Sequence, residues 1–130
     1  MGVSTGVRPF IHLHNHSDFS LLDGASRIHE IVDLAAQYQM PAVALTDHGN
    51  MFGAIAFFQA AKKKGIKPIL GCEIYVAPGS RFDRSPGGGI ADTNNHLVLL
   101  AENYQGYTNL IKLVTAGYLG RKTGRGFYEY

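Results

Sequence analysis

At 130 residues, with 45% hydrophobic and 17% charged side chains, the chain has the length and balance of one ordinary globular domain, which excludes a disordered or fibrous protein. A net charge of +2 is too small to imply nucleic-acid binding by itself, and no apolar stretch approaches the length of a membrane span or a signal peptide, so a cytoplasmic protein with no membrane partner is expected. The single cysteine, Cys72, cannot form an internal disulfide and fits a reducing compartment.

Residues 1–9 are expected to be a flexible N-terminus. The first apolar run, Phe10-Ile11-His12-Leu13-His14-Asn15-His16-Ser17, alternates histidine with other residues. Side chains two apart on a strand share a side, so the pattern puts His12, His14 and His16 on one face and turns Ile11 and Leu13 toward a core. Two imidazoles on alternate strand positions can chelate one ion, and imidazole suits zinc, iron and manganese. The plainer reading, a half-exposed strand that is merely His-rich, needs three of the chain's six histidines to fall within five positions by chance.

Residues 18–24 are turn-rich and end in the turn dipeptide Asp23-Gly24. Ser26 suits a helix N-cap, and Ile28, Ile31, Val32, Leu34 and Ala35 recur at helical spacing up to about Gln39, where Met40-Pro41 stops the helix. Ala42-Val43-Ala44-Leu45-Thr46 is apolar without alternation, the pattern of a parallel strand covered on both faces. The spacing predicts a second helix over 51–64, with Asn50 as its N-cap, Met51, Ala54, Ile55, Phe58 and Ala61 as one stripe, and Gly65 as its C′ residue after the cationic last turn Lys62–Lys64. A strand over 68–76 follows, then a loop over 78–94 whose Gly87-Gly88-Gly89 implies mobility, a strand over 95–101 and a helix from Tyr104 to about Leu119.

Alternating strands and helices predict an α/β domain of crossover units, in which ligands gather where strands end and helices begin. His14 and His16, His48 and Glu73 obey this rule. His96 lies at the start of its strand, so either that strand runs antiparallel or the loop carries its beginning up to the site. A mixed set of His, Asp and Glu without thiolates suits a hydrolytic zinc, manganese or iron site rather than a zinc finger, and the Glu73 carboxylate can bridge two ions. Cys72 faces away from Glu73 and is expected to be a small buried residue; Asp47 is expected to orient a ligand or cap the next helix, Ser17 to sit in a turn, and the tyrosines and phenylalanines to pack the core.

The stretches HLHNHSDFSLLDG, TDHGNMFG, GCEIYVAPGSRFD and HLVLLAEN, between Phe10 and about Leu113, resemble the N-terminal polymerase-and-histidinol-phosphatase (PHP) domain of bacterial DNA polymerase III alpha subunits. The resemblance covers about four-fifths of the chain and implies a TIM-like, distorted β/α barrel of seven strands, of which residues 10–119 would supply about four strands and three helices. It implies up to three divalent metal ions, zinc first with manganese or iron as alternatives. His14, His16 and Glu73 would hold one, Glu73 and His96 a second, and Asp23 with His48 a third. Nine ligands are implied, and the remaining three belong to strands that would follow position 130. The implied chemistry is phosphoester hydrolysis, associated with 3′–5′ exonuclease proofreading, and the implied partners are DNA and the rest of the DNA polymerase III holoenzyme. A barrel cut after four strands leaves an open edge through which copies could self-associate.

Two alternatives share these motifs. One is a non-catalytic, metal-stabilised scaffold, and the other is a free-standing phosphatase of the histidinol-phosphate type, which would not need the APGSRFD stretch. Residues 120–130, a basic and aromatic tail, resemble the C-terminal end of 3-hydroxyacyl-CoA dehydrogenases. No GxGxxG loop accompanies them, so dehydrogenase activity is not expected.

Overall fold

The apolar run after Pro41 forms strand β1, Ala42–Leu45, whose four residues are all buried. Strand β2, Lys67–Val76, runs parallel beside it, with Ala42 opposite Lys67 and Leu45 opposite Leu70. Strand β3, Asn95–Leu100, closes the three-stranded sheet on the far side of β2. It is antiparallel, with Gly71 opposite Leu100 and Val76 opposite Asn95. This computed structural model describes residues 9–21, 23–76 and 95–115. The expected flexible residues 1–8, the predicted loop over 78–94, the end of the last helix and the tail over 120–130 lie outside the described residues.

Residues 10–16, expected as a first strand, run alongside β1 without forming a regular ladder. The Ala44 N–H donates to the His12 carbonyl and the Thr46 N–H to the Asn15 carbonyl, both at 2.9 Å. Three residues of the segment therefore span two of β1, and the extra one breaks the alternation on which the three-histidine face rested. His12 parts from the other two and sets its ring edge-on to Phe10, 4.6 Å between centroids. Leu13, expected in the core, is 48% exposed. The described strands therefore number three rather than four.

Helices α1 (Ile28–Gln37), α2 (Ala54–Lys63) and α3 (Tyr104–Thr115) complete the α/β fold. Val32 and Ala35 of α1 and Phe57 and Ala61 of α2 bury against Val43 and Leu45 of β1. The buried stripe of α2 is Ala54, Phe57 and Ala61, while Ile55 and Phe58, expected within it, point outward. Leu110 of α3 packs on Cys72 and Ile74 of β2. Glu73 and Tyr75 alternate with those two and so face away from α3, which defines the face on which the site is built. Gly71 lies where the strands press closest: a Cβ there would meet the Leu99 carbonyl oxygen at 2.6 Å and the Thr46 side chain at 2.9 Å.

The helix starts fall later than the pattern predicted. Ser26 is drawn into a bridge with Ser17, so Arg27 becomes the N-cap of α1 and its N–H donates to the Glu30 carboxylate at 3.0 Å. Gly53 rather than Asn50 caps α2. Both helices end in the same motif. After α2, Gly65 at φ 72° lets its own N–H reach the Lys62 carbonyl and the Ile66 N–H reach that of Ala61. After α1, Gln39 does the same at φ 54°, with its N–H on Ala36 and the Met40 N–H on Ala35. A side chain in the left-handed region costs energy that glycine does not incur. Gln39→Gly is therefore expected to raise stability by about 0.5–1 kcal/mol in urea unfolding, and a fall of that size would refute the strain. No helix among the described residues is long and apolar enough to cross a membrane.

Candidate metal centre

Five stretches of chain meet on the open face of the sheet. The 10–16 segment presents His14 and His16, the turn after it presents Asp23, the end of β1 leads through Asp47 to His48, and the outer half of β2 presents Glu73. Because β3 is antiparallel, its first residues return to that same end, and His96 stands opposite Tyr75. The antiparallel alternative is thus the one the chain adopts. All six side chains singled out in the sequence come together in three overlapping groups: His14, His16 and Glu73; His16, Asp23 and His48; His48, Glu73 and His96. Within each group the potential ligand atoms lie no more than 4.8 Å apart.

Glu73 belongs to two of the three groups, and only 1% of its side chain is exposed. Its Oε2 contacts His14 Nε2 and lies 3.0 Å from His16 Nε2, while its Oε1 contacts His96 Nδ1 and lies 3.2 Å from His48 Nδ1. Burial pushes the Glu73 carboxyl up, but hydrogen bonds with the His16 and His14 rings and the charge of His48 and His14 outweigh it and hold it below its ordinary value. On the far side, His48 Nε2 lies 2.8 Å and His16 Nδ1 3.9 Å from the two Asp23 oxygens. The Nε2 atoms of His14 and His16 approach to 3.0 Å.

Two atoms of this cluster, Glu73 Oε1 and His48 Nδ1, are buried with no aligned hydrogen-bond partner among the described residues. A buried polar atom left unpaired costs of order 1–3 kcal/mol. A cation between them would satisfy both, and imidazole nitrogens with carboxylate oxygens are the donor set of zinc, manganese and iron. The residues present therefore fit divalent metal. His14, Asp23 and His96 are about half exposed, so the groups are open on one side to a further ligand.

Of the residues that hold these donors in place, sequence reasoning singled out Asp47, expected to orient a ligand or cap the next helix, but missed how it does so and the parts of Ser17 and Ser20. Asp47, 2% exposed, neither contacts a ligand side chain nor caps α2. Its Oδ1 accepts from the Ser17 N–H at 2.6 Å and the Ser20 hydroxyl at 2.8 Å, and its Oδ2 from the Ser17 hydroxyl at 2.8 Å. Ser17 is thus a fully buried anchor rather than a plain turn residue. Asn50 ties the turn after β1 to its neighbours, donating to the Phe19 and His48 carbonyls. Tyr75, expected as packing, lies parallel to the His48 ring at 6.0 Å and edge-on to His96 at 4.9 Å. Its position two residues after Glu73 was the available signal. Cys72 is buried on the opposite face, outside all three groups, as its parity implied.

Comparison with known proteins gives the following. A family profile described as the PHP domain matches residues 12–129, and so runs through most of the tail set apart in the sequence. A DNA polymerase III subunit alpha from Borreliella burgdorferi is 51% identical over 119 residues, covering 92% of this chain and 10% of that protein. The subunit from Thermus aquaticus is 47% identical over 122 residues, with the same coverage of each. The chain spans about a tenth of the length of these curated relatives. Among solved structures, an amidohydrolase from Chromobacterium violaceum, with bound sulfate and no metal, superposes with a TM-score of 0.55 at 28% identity, over 83% of this chain and 34% of its own. A presumed metal-dependent phosphoesterase from Bifidobacterium adolescentis gives 0.56 at 21% identity, over 88% and 36%, a likeness of fold.

The thiol beside the site offers a check on this packing. Burial pushes the Cys72 pKa up to about 11, against which the Gly49 and Asn50 backbone hydrogen bonds act only weakly. The stabilisation from keeping the thiol neutral is complete below its unfolded pKa and lost as pH rises through about 11. At pH 8 iodoacetamide is expected to label Cys72 about 100-fold more slowly in the native chain than in urea, as read by mass spectrometry. Equal rates would mean that the α3 face is open.

Proposed function

The chain belongs to the PHP domain family, and on that premise we propose that it is the PHP portion of a DNA polymerase III alpha subunit, binding divalent metal and contributing phosphoester hydrolysis to DNA replication. The observation that carries this reading is the buried Glu73 carboxylate shared between two groups of imidazoles, with one oxygen lacking an aligned hydrogen bond. His14, His16 and Glu73 would hold one ion, Glu73 and His96 a second, and Asp23 with His48 a third. Zinc is the first choice for a set this rich in imidazole, followed by manganese and iron. The protein is proposed to work in the cytoplasm, with DNA and the remaining polymerase subunits as partners.

Bound metal would lower the pKa of a coordinated water and neutralise charge developing on a phosphate. The chain's own residues supply the rest. Asp23, His14 and His96 line the open side, where a phosphodiester can approach, while β2 and β3 wall off the other. No ion would have more than three side-chain donors, which leaves positions free for water and substrate, the arrangement of a catalytic rather than a structural site. Hydrolysis at a DNA 3′ end, as in proofreading, is the reaction this openness favours within a polymerase.

Native mass spectrometry of the purified chain with added zinc or manganese is expected to find up to three ions per folded molecule, one for each group. His14→Ala and His48→Ala should each lower that number, and parental metal content in both would sink the ligand assignment. Metal that raises the melting temperature with no cleavage of single-stranded DNA would make the domain a scaffold. Cleavage of histidinol phosphate but not DNA would make it a small-molecule phosphatase.

A further inference from the structure

We propose that Asp47 is a positioning residue for the metal centre: its carboxylate, acting through Ser17 and Ser20, fixes the spacing of the segments that carry His16, Asp23 and His48. This inference rests on the metal-binding reading above. The usual carboxylate partner of a metal ligand accepts a hydrogen bond from the ligand's own ring. Asp47 instead grips the backbone from which several ligands project.

The connections radiate from one buried residue. Ser17, whose N–H and hydroxyl both donate to the carboxylate, directly follows His16. Ser20 donates its hydroxyl to the same carboxylate and uses that oxygen to accept the His48 N–H at 3.1 Å. The Ser20 carbonyl accepts the Asp23 N–H, also at 3.1 Å. Behind the side chain, the Asp47 carbonyl accepts the Glu73 N–H at 3.0 Å, and the Gly49 N–H answers on the Glu73 carbonyl at 2.9 Å. Four of the six candidate ligands are thus adjacent in sequence to Asp47 or Ser17, or hydrogen-bonded through their backbone N–H to Asp47 or Ser20. A buried carboxylate is weak evidence for stability, whereas the bonds it makes here tie together the segments that carry the candidate ligands. Hydrogen bonds to an ionised acceptor are short and strong, as the 2.6 Å bond from Ser17 illustrates.

The mechanism is geometric, and the substitutions separate geometry from charge. Asp47→Asn can keep every contact: the amide oxygen accepts from the Ser17 N–H and the Ser20 hydroxyl, and the amide nitrogen donates to a Ser17 hydroxyl turned to accept. Asp47→Ala removes all three bonds to the carboxylate. Ser20→Ala removes the hydroxyl that links Asp47 to His48 and to the Asp23 turn and leaves both Ser17 bonds, so it gives an answer even if Asp47→Ala does not fold.

The test is a cobalt(II) titration of the full chain, read by the d–d absorption spectrum and compared with the melting temperature of the metal-free protein. Asp47→Asn is expected to keep the parental spectrum and an affinity within about threefold, whereas Ser20→Ala and Asp47→Ala shift the spectrum and weaken binding about 10–100-fold. In Ser20→Ala that loss should appear in a chain that, without metal, still melts in one cooperative transition, lowered by no more than two buried hydrogen bonds account for. The proposal is overturned if Asp47→Asn weakens cobalt as much as Asp47→Ala, which would make the negative charge the operative property, or if Ser20→Ala leaves affinity and spectrum unchanged. A parental chain that takes up no cobalt at all overturns the metal-binding reading, and this one with it.

Discussion

A carboxylate removed from water is the constraint on which the other parts of this structure depend. Even after relaxation, burying an ionised group costs several kcal/mol, and the cost is met only if partners surround it. At Glu73 they come from the 10–16 segment, the turn after β1 and the start of β3. None of these lies near Glu73 in sequence, and each must be held firmly by its own backbone. The hydrophobic clusters between the helices and the sheet do that holding, and they lie on the face opposite the charge.

Topology decides which segments can meet. A parallel neighbour brings the chain back to the same end of the sheet only after a crossover, which α2 supplies between β1 and β2. An antiparallel neighbour brings its beginning to that end directly. The mixed sheet therefore puts the end of β1 and the start of β3 on either side of the outer half of β2, with His48 and His96 flanking Glu73. Tyr75 lies against both of those rings, which themselves meet edge-on at 5.5 Å.

What the sequence discloses depends on how local the cause is. The fully apolar β1, the C′ glycine after α2 and the burial of Cys72 each follow from short-range pattern or parity, and each is found. Among the six candidate ligands, His14, His16, His48, Glu73 and His96 stood out by residue type near strand termini, whereas Asp23 read as a turn residue and entered only through the family resemblance. Non-local pairing was not legible. The additional residue between His12 and Asn15 shows only against the hydrogen bonds of β1, and it displaces Leu13 and His12 from the faces that alternation gave them. Ser26 looks like a cap until Ser17 claims it, and Ser17 looks like a turn residue until Asp47 does. On α2, choosing between Phe57 and Phe58 for the core requires knowing the direction from which β1 approaches.

The absent side chain at Gly71 sets a limit on how this sequence can diverge. The residue carries no chemistry and is not a ligand, yet its α-hydrogen is all that separates β2 from the Leu99 backbone. Any larger residue would wedge the two strands apart at the base, and the strand it displaced is the one that carries His96 to Glu73. Position 71 thus acts as a hinge pin set to one width. A side chain in place of that hydrogen would have to be accommodated by moving the strand that brings His96 to Glu73.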